Sequence, residues 1–209
     1  MDLFLYEDTL SAGDALALPA CPGRAVYVVA GSLRRGDEEV AADQGFVSAD
    51  DCRLAAGPEG SSLWRWELTR TAVAGSAQRT TEQLSGEVPE SLSQGGAFLR
   101  LDSVSFPPGG AALLHTHPGP GIRRLIEGSI RIDTQGSSTA FGPGGCWFEA
   151  GPDPVFAQAD ALQPSRFIRA MVLPDAFRNR SSISYENESD RDKPKQQSYR
   201  RFGELGIVL

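Results

Sequence analysis

The two histidines of the chain carry the clearest chemical signal in its sequence. His115 and His117 are the only histidines among 209 residues, and a single residue separates them. Residues i and i+2 of a β-strand point to the same face, so this spacing places the two imidazoles side by side. Imidazole is a common ligand of divalent metals. The pair therefore predicts a metal site, and two ordinary polar histidines on a strand surface are the alternative.

A carboxylate would complete such a site. Two histidines and one carboxylate form the facial triad of non-haem iron oxygenases, which leaves positions open for substrate and oxygen. The nearby candidates are Glu127, Glu149 and Asp153. Glu149 follows two large aromatic residues, and a carboxylate buried there needs a cation, a metal or a proton. We therefore take Glu149 as the candidate third ligand, with a turn carboxylate that caps backbone amides as the alternative. Asp153 lies between two prolines and fits a turn better.

Strands must position these side chains. Segments rich in β-branched and aromatic residues occur at 24–29, 46–48, 62–68, 97–101, 130–132 and 166–173. Clusters of Gly, Pro, Asp and Ser separate them every eight to twelve residues or so, which is typical of a β-sandwich or barrel. Helix signals are few, and only residues 174–178 predict one short turn of helix.

The residues around the histidine pair resemble the first motif of the cupin superfamily. The resemblance rests on Gly109-Gly110, the His-x-His pair, Pro118-Gly119-Pro120-Gly121 and Leu125-Ile126-Glu127-Gly128, and residues 142–154 resemble the second motif. It covers about residues 97–174, and a weaker copy covers the first seventy residues. The resemblance implies a small antiparallel jelly-roll barrel that often holds one metal ion. Many cupins are enzymes that act on small molecules, and others bind or sense ligands.

The sequence departs from the cupin pattern at two ligand positions. Gly121 and Ile122 stand where the first motif usually has a glutamate, and Pro154 and Val155 stand where the second usually has a histidine. Two of the four usual ligands remain. The first hypothesis is a metal-dependent enzyme, such as an oxygenase, that holds iron, manganese, nickel or zinc and acts on a small organic molecule. The second is a non-catalytic binding or sensing cupin with a weakly bound metal or none.

Two further side chains are candidates for binding a ligand. Arg123 shares a strand face with Gly121, and an inward arginine beside two histidines would bind a carboxylate or phosphate of a small molecule. The alternative places one exposed and one partly covered arginine at positions 123 and 124. Trp147 lines either the core or the pocket, and the sequence does not separate these two roles.

The chain also repeats itself. Residues 30–34 match residues 127–131, and residues 44–47 match residues 144–147. This ordered series favours a duplication over two unrelated sets of strands. We therefore predict an all-β chain with two cupin-like double-stranded β-helix barrels. The predicted parts are a first barrel without metal ligands (1–75), a linker with little structure (76–96), a second barrel with the histidines (97–174) and a C-terminal arm (175–209).

The repeat also assigns a role to the first barrel. When the two halves of the chain are aligned, Leu18 and Ala20 occupy the positions of His115 and His117. We expect both to point into a packed core, so this barrel is predicted to be structural. The arm ends on Gly206-Ile207-Val208-Leu209, which favours a strand docked on the body or on a second subunit over a disordered tail. Cupins commonly pair, so we expect a homodimer that binds a small-molecule ligand.

The composition excludes several kinds of partner. With 27 acidic and 20 basic residues the net charge is −7, which argues against binding nucleic acid or an anionic membrane. No apolar stretch approaches membrane-spanning length, and the first residues lack the features of a signal peptide. Cys21, Cys52 and Cys146 are odd in number and widely spaced, so we expect reduced, partly buried thiols in a cytoplasmic protein.

Overall fold

The computed structural model describes residues 1–72 and 79–209, and this part of the chain consists mainly of antiparallel β-strands. Three 3-10 turns occur at Glu90–Ser93, Asp175–Phe177 and Glu188–Asp190. The strands are β1 (Asp2–Leu10), β2 (Ala15–Leu18), β3 (Gly23–Arg35), β4 (Glu38–Ala41), β5 (Gly45–Ser48), β6 (Cys52–Thr69), β7 (Thr80–Glu87), β8 (Ala97–Phe106), β9 (Ala111–Thr116), β10 (Gly121–Glu127), β11 (Ile130–Thr134), β12 (Ser137–Phe141), β13 (Cys146–Glu149), β14 (Val155–Ala159), β15 (Ser165–Pro174), β16 (Ser184–Tyr185) and β17 (Ser198–Ile207).

The first barrel is one seven-stranded sheet that curls around a leucine-rich core. Its strand order is β4-β3-β6-β1-β7, with β2 paired to β6 and β5 paired to β3. Bulges interrupt the pairing of β3 with β6, and they allow these long strands to bend. Gly31 lies at one bulge with φ +73°, and a side chain there would collide with the carbonyl of Gly60. The core residues are Leu10, Leu16, Leu18, Val26, Val28, Leu33, Val40, Phe46, Leu54 and Leu63.

The second barrel is formed by two five-stranded sheets that face each other. Their orders are β13-β10-β15-β8-β17 and β12-β11-β14-β9-β16. Aromatic and β-branched side chains from both sheets meet between them, as in other sandwiches. The core residues are Val104, Phe106, Ala112, Leu125, Ile130, Ile132, Trp147, Val155, Ala157, Ala159 and Phe167.

The two barrels share a large apolar interface. Strands β1, β3 and β6 pack against β8, β10 and β15, so the central strands of both sheets are buried on two faces. Odd-numbered residues of β8, such as Leu99 and Leu101, face the first barrel, whereas Arg100 and Asp102 face the other way. The interface includes Leu3, Leu5, Tyr27, Trp64, Trp66, Leu99, Leu101, Ile122, Ile168 and Val172. A strand buried on both faces lacks the polar alternation of a half-exposed one.

The structure confirms the predicted all-β fold and each of the six predicted strand segments. The predicted turn of helix at residues 174–178 is the 3-10 turn Asp175–Phe177. The apolar end of the arm docks on the body, because β17 pairs along β8. The three cysteines are free and partly buried, as expected. No helix of the described residues is both long enough and apolar enough to cross a membrane.

Two expectations were wrong. The stretch predicted as a linker with little structure contains β7, which pairs with β1 along most of its length. Its side chains are polar except for Leu84, which packs against the apolar core between the barrels, and half of its residues are exposed. Ala20 is exposed instead of buried, whereas Leu18 does enter the core. Residues 73–78, which fall at the predicted boundary of the first barrel and the linker, lie outside the described residues.

Candidate functional site

The histidine pair lies at the end of β9, inside the second barrel. His115 belongs to the strand, and His117 follows it directly; both are buried. Their Nε2 atoms are 3.2 Å apart, and the two rings are nearly perpendicular, at 88°. The prediction that the two imidazoles share one face is therefore confirmed.

Backbone carbonyls fix which ring nitrogen carries the proton. Nδ1 of His115 lies 2.7 Å from the Leu113 oxygen, and Nδ1 of His117 lies 3.0 Å from the Ser182 oxygen. A carbonyl only accepts hydrogen bonds, so each Nδ1 carries a proton and each neutral ring keeps its lone pair on Nε2. Burial lowers the pKa of His115, against the hydrogen bond to Leu113, which raises it. Burial, followed by the charge of Arg123, holds the pKa of His117 well below 6.5.

The two Nε2 lone pairs therefore lie close together, 3.2 Å apart. This proximity is repulsive unless a cation binds both nitrogens, and metal-binding histidines typically donate their other ring N–H to a carbonyl or carboxylate in this way. The geometry of the pair thus fits one divalent ion.

Glu149 is buried near the pair but is held by other groups. It ends β13, and its Oε1 accepts a hydrogen bond of 2.8 Å from the indole of Trp147. Its Oε2 lies 3.7 Å from Nε2 of His117 but only 2.6 Å from Nη2 of Arg123. The short contact is an ion pair, and neither of its two atoms has a hydrogen-bond partner among the described residues.

Arg123 points inward, as predicted, and it is fully enclosed. Its Nη1 donates to the Gly121 carbonyl at 2.6 Å, so two of its groups are engaged by the protein itself. Burial lowers its pKa to about 10, against the charge of Glu149, which raises it. Arg124 is also buried, and it reaches the first barrel by binding Glu7 at 2.9 Å. The alternative of surface arginines at these positions was therefore wrong.

Of the remaining candidates, Glu127 and Asp153 do not join the site, whereas Trp147 borders it. Glu127 is exposed near Arg166, and Asp153 accepts a hydrogen bond from Gln135 in a turn. Trp147 stacks on Phe141 and meets Phe167 edge to face, so it is a core residue that also orients Glu149. In the described part of the chain, no three His, Cys, Asp or Glu side chains are arranged to hold a metal ion. The histidines fit a metal, and the carboxylate does so only if it leaves Arg123.

A second buried ion pair borders the site, and nothing in the sequence pattern pointed to it. Arg169 on β15 donates to Asp102 on β8 with Nε and Nη2, at 2.7 and 3.1 Å. The first barrel contains the same arrangement: Arg65 donates to Asp8 at 2.7 and 3.1 Å. Both pairs join the first and last long strands of their barrel, so they support the predicted duplication.

Two cavities adjoin each other in the second barrel, and only the inner one reaches the histidines. The inner one, about 20 Å³, has room for roughly one water molecule and is bordered by both histidines, Arg123 and Glu149. The outer one, about 440 Å³, opens between β8, β15 and the arm. Both cavities are bordered by Arg169, Ile183, Gln197 and Tyr199. The outer cavity is lined by Arg100, Asp102, Arg169, Asn179, Arg180, Ser181, Ser182, Ile183, Lys195, Gln197, Tyr199 and Arg201.

Solved structures with the same architecture share little sequence with this chain. Oxalate decarboxylase of Lactobacillus farciminis, in a formate complex, aligns with a TM-score of 0.65 and 13% identity over 92% of this chain and 82% of that chain. Bacillus subtilis oxalate decarboxylase, in a structure from a study of its Mn(II) centres, aligns with a TM-score of 0.64 and 14% identity over 92% of this chain and 73% of that chain. A cupin 2 conserved barrel domain protein from Leptotrichia buccalis gives 0.53 and 11%, over 82% of this chain and 84% of that chain.

The chain has the cupin fold. The resemblance read from its glycine-rich motifs is thereby confirmed at the level of the fold, which is all that identities of 11–14% show. A scan against protein-family models gave no match, and a search of curated proteins gave none either. In this cupin fold the histidine pair lies inside the second barrel, and the equivalent strand of the first barrel carries Leu18 instead.

Proposed function

We propose that the chain is a metal-dependent cupin that holds one divalent ion between His115 and His117 and acts on a small organic molecule. The observation that carries this proposal is the convergence of the two Nε2 lone pairs at 3.2 Å, with both Nδ1 atoms committed to backbone carbonyls. The Mn(II) centres of Bacillus subtilis oxalate decarboxylase add support by analogy of fold only.

The side chains around the pair have distinct roles in this proposal. The carbonyls of Leu113 and Ser182 orient the two imidazoles, and the aromatic core keeps water from the barrel interior. Arg123 neutralises Glu149 and holds it away from the metal position. A bound divalent ion would supply Lewis acidity to an oxygen atom of the ligand. Release of Glu149 from Arg123 would give the ion its third protein ligand.

A non-catalytic ligand-binding cupin is the second candidate, and one observation favours it. The inner cavity of about 20 Å³ leaves no room for an organic substrate beside the histidines. In this case the polar cluster would serve only to hold the barrel together, and ligand would bind elsewhere.

Metal content separates the two candidates. We expect purified protein, loaded with Mn²⁺ or Zn²⁺ and then desalted, to retain about one ion per chain by elemental analysis. His115→Ala and His117→Ala should each lose it, because one imidazole alone binds weakly. Leu18→Val, at the matching position of the first barrel, is the control and should retain the ion. Equal metal content in wild type and both histidine variants would exclude the proposed site and favour the non-catalytic candidate.

A further inference from the structure

The outer cavity is strongly basic although the chain as a whole is acidic. Five cationic side chains border it, namely Arg100, Arg169, Arg180, Lys195 and Arg201, and Asp102 is the one carboxylate among the residues that line it. The net charge of the chain is −7. A concave surface of one sign, surrounded by protein of low dielectric constant, concentrates ligands of the opposite sign.

Two of these cations have no carboxylate partner in the described part of the chain. Asp102 neutralises Arg169, and Glu204 lies 2.8 Å from Arg100 and 3.3 Å from Arg201. Arg180 makes no ion pair among the described residues, and Lys195 contacts only the hydroxyl of Ser181, at 3.3 Å. Their charges are therefore available to a bound anion.

The cavity is built by buried interactions and is not a patch of surface arginines. Arg100 is only 3% exposed, and it donates to the carbonyls of Phe177 and Arg180 at 2.9 and 3.1 Å. These bonds fix the loop that carries Arg180 against β8. Arg169 is 4% exposed and lies 5.7 Å from the ring of Tyr199, so its guanidinium is fixed on two sides.

The size and walls of the cavity indicate the class of ligand. A volume of about 440 Å³ lies in the range of small-molecule sites. The cations come from separate segments, with Arg169 on β15 and Arg180 and Lys195 on the arm, so they can contact more than one end of a ligand. Ile183 and Tyr199 supply apolar surface between them. Arginine binds carboxylates through pairs of parallel hydrogen bonds.

We propose that this cavity binds a small organic dicarboxylate through Arg180 and Lys195, next to Arg169, which is already paired with Asp102. The site goes beyond the proposed metal site and does not require it, because none of these three cations contacts a histidine by a hydrogen bond in the described structure. Tyr199 and Gln197 border both this cavity and the inner one.

Calorimetric titration at low ionic strength tests the proposal with succinate, succinamide and inorganic phosphate as probes. Succinate should bind, and added sodium chloride should weaken it, since screening reduces exposed charge interactions. Succinamide has the same carbon skeleton without charge and should not bind detectably. Equal binding of succinamide, or binding of phosphate with none of succinate, would overturn the proposal.

Variants locate the binding. The double variant Arg180→Gln/Lys195→Gln should bind succinate about tenfold more weakly, because it loses two charge-assisted contacts. The control Arg34→Gln/Arg53→Gln removes the same charge from exposed positions of the first barrel and should bind like wild type. His115→Ala should also bind like wild type, even when it has lost all metal, which separates this site from the proposed metal site. Unchanged affinity in Arg180→Gln/Lys195→Gln, or an equal loss in the control, would overturn the assignment.

Discussion

Arg123 determines what Glu149 can do. The sequence pattern placed both residues near the histidines, one as a ligand-binding group and the other as a metal ligand. The structure brings them together at 2.6 Å, so each satisfies the other. Removing one partner of a buried ion pair is strongly destabilising, because the remaining charge is left buried without a partner.

Removal of Arg123 should therefore make the stability of the protein depend on bound metal. We expect Arg123→Met to lower the free energy of unfolding by about 3–5 kcal/mol in the presence of a chelator, since Glu149 is left buried and unpaired. Added Mn²⁺ or Zn²⁺ should then raise the melting temperature more than in wild type, because the freed carboxylate can complete the histidine pair. Thermal unfolding with and without metal measures both effects.

Arg124→Met is the matched control for this experiment. Arg124 is the next residue and is equally buried, but it binds Glu7 and lies 4.6 Å from the ring of Trp64, on the side of the first barrel. Its loss should destabilise the protein without any added response to metal. The same metal response in both variants would refute the role assigned to Arg123.

Gly121 occupies the position where cupins usually have a glutamate, and the structure leaves no room for a side chain there. A Cβ atom would lie 2.7 Å from the Ala170 oxygen and 2.8 Å from Cγ of Met171. Gly121→Ala should therefore lower the free energy of unfolding by about 1–3 kcal/mol in urea denaturation. Gly142→Ala, where nothing lies within 4 Å, should change it little. A folded Gly121→Ala protein as stable as wild type would contradict this account.

The residues that sequence predicts best are those whose partners are close in the chain. The i, i+2 spacing placed both histidines on one face, and strand parity placed Arg123 inward. The Asp–Arg pairs could not be predicted in this way, because Asp102 and Arg169 are 67 residues apart and Asp8 and Arg65 are 57 apart. Charged residues inside the apolar strands β1, β6, β8 and β15 were the available signal.

Two strands show how far pattern alone can identify an element. Strand β7 has a single large apolar side chain, Leu84, so its sequence resembles that of a linker, and its pairing with β1 makes it a strand. Strand β17 was expected from its apolar end, and it covers the edge of β8 over its whole length. An uncovered edge of that length would invite pairing with another chain.

Removal of β17 tests this protective role. We expect a chain shortened to residue 197 to lose cooperative unfolding or to self-associate, because the edge of β8 becomes exposed and Arg100 loses Glu204. Light scattering and circular dichroism measure the two outcomes. A chain that lacks only residues 208 and 209, which lie beyond the strand, should behave like wild type. A shortened chain that stays monomeric and fully folded would show that β17 is dispensable.

The interface between the barrels holds the whole molecule together, and Asp43 forms ion pairs across it. This carboxylate, in a turn of the first barrel, accepts hydrogen bonds from Arg166 at 2.8 Å and Arg200 at 2.9 Å, both on the second-barrel side. Tyr27 donates to it as well, at 2.8 Å. The homodimer remains a prediction, and the strand that we expected to form it is used within the chain.

The contribution of Asp43 should depend on pH. Burial raises its pKa, but hydrogen bonds from Arg166 and Tyr27 outweigh this effect, so the pKa lies below 3.8. A carboxylate whose pKa is lowered by folding stabilises the folded state above its unfolded pKa, and this stability is lost as the pH falls through the folded pKa. Asp43→Asn should therefore lower the free energy of unfolding by about 1 kcal/mol at pH 7. This value is small because solvent screens the partly exposed carboxylate.

Urea denaturation of wild type and Asp43→Asn at several pH values checks this sign. The difference in free energy of unfolding should be constant near neutral pH and should shrink once the pH falls below 3.8. Asp133→Asn is a useful control, because the pKa of Asp133 is also lowered but its partners, Ser138 and Arg131, lie within its own hairpin. A difference for Asp43→Asn that grows on acidification would mean that the assigned ion pairs do not stabilise the interface.

Arg100 attaches the C-terminal arm to β8 reversibly, which a covalent link would not do. The guanidinium of Arg100 on β8 binds Phe177, Arg180 and Glu204, which lie 77, 80 and 104 positions further along the chain. The cysteines of the protein are all free thiols. These contacts close loops of the chain as a disulfide would, yet they can break and form again without any change in covalent bonds. We therefore expect β17, an edge strand of its sheet, to open more readily than a central strand, so its amide hydrogens should exchange faster than those of β6. Such an opening would also uncover the inner cavity, because Tyr199 of β17 borders it.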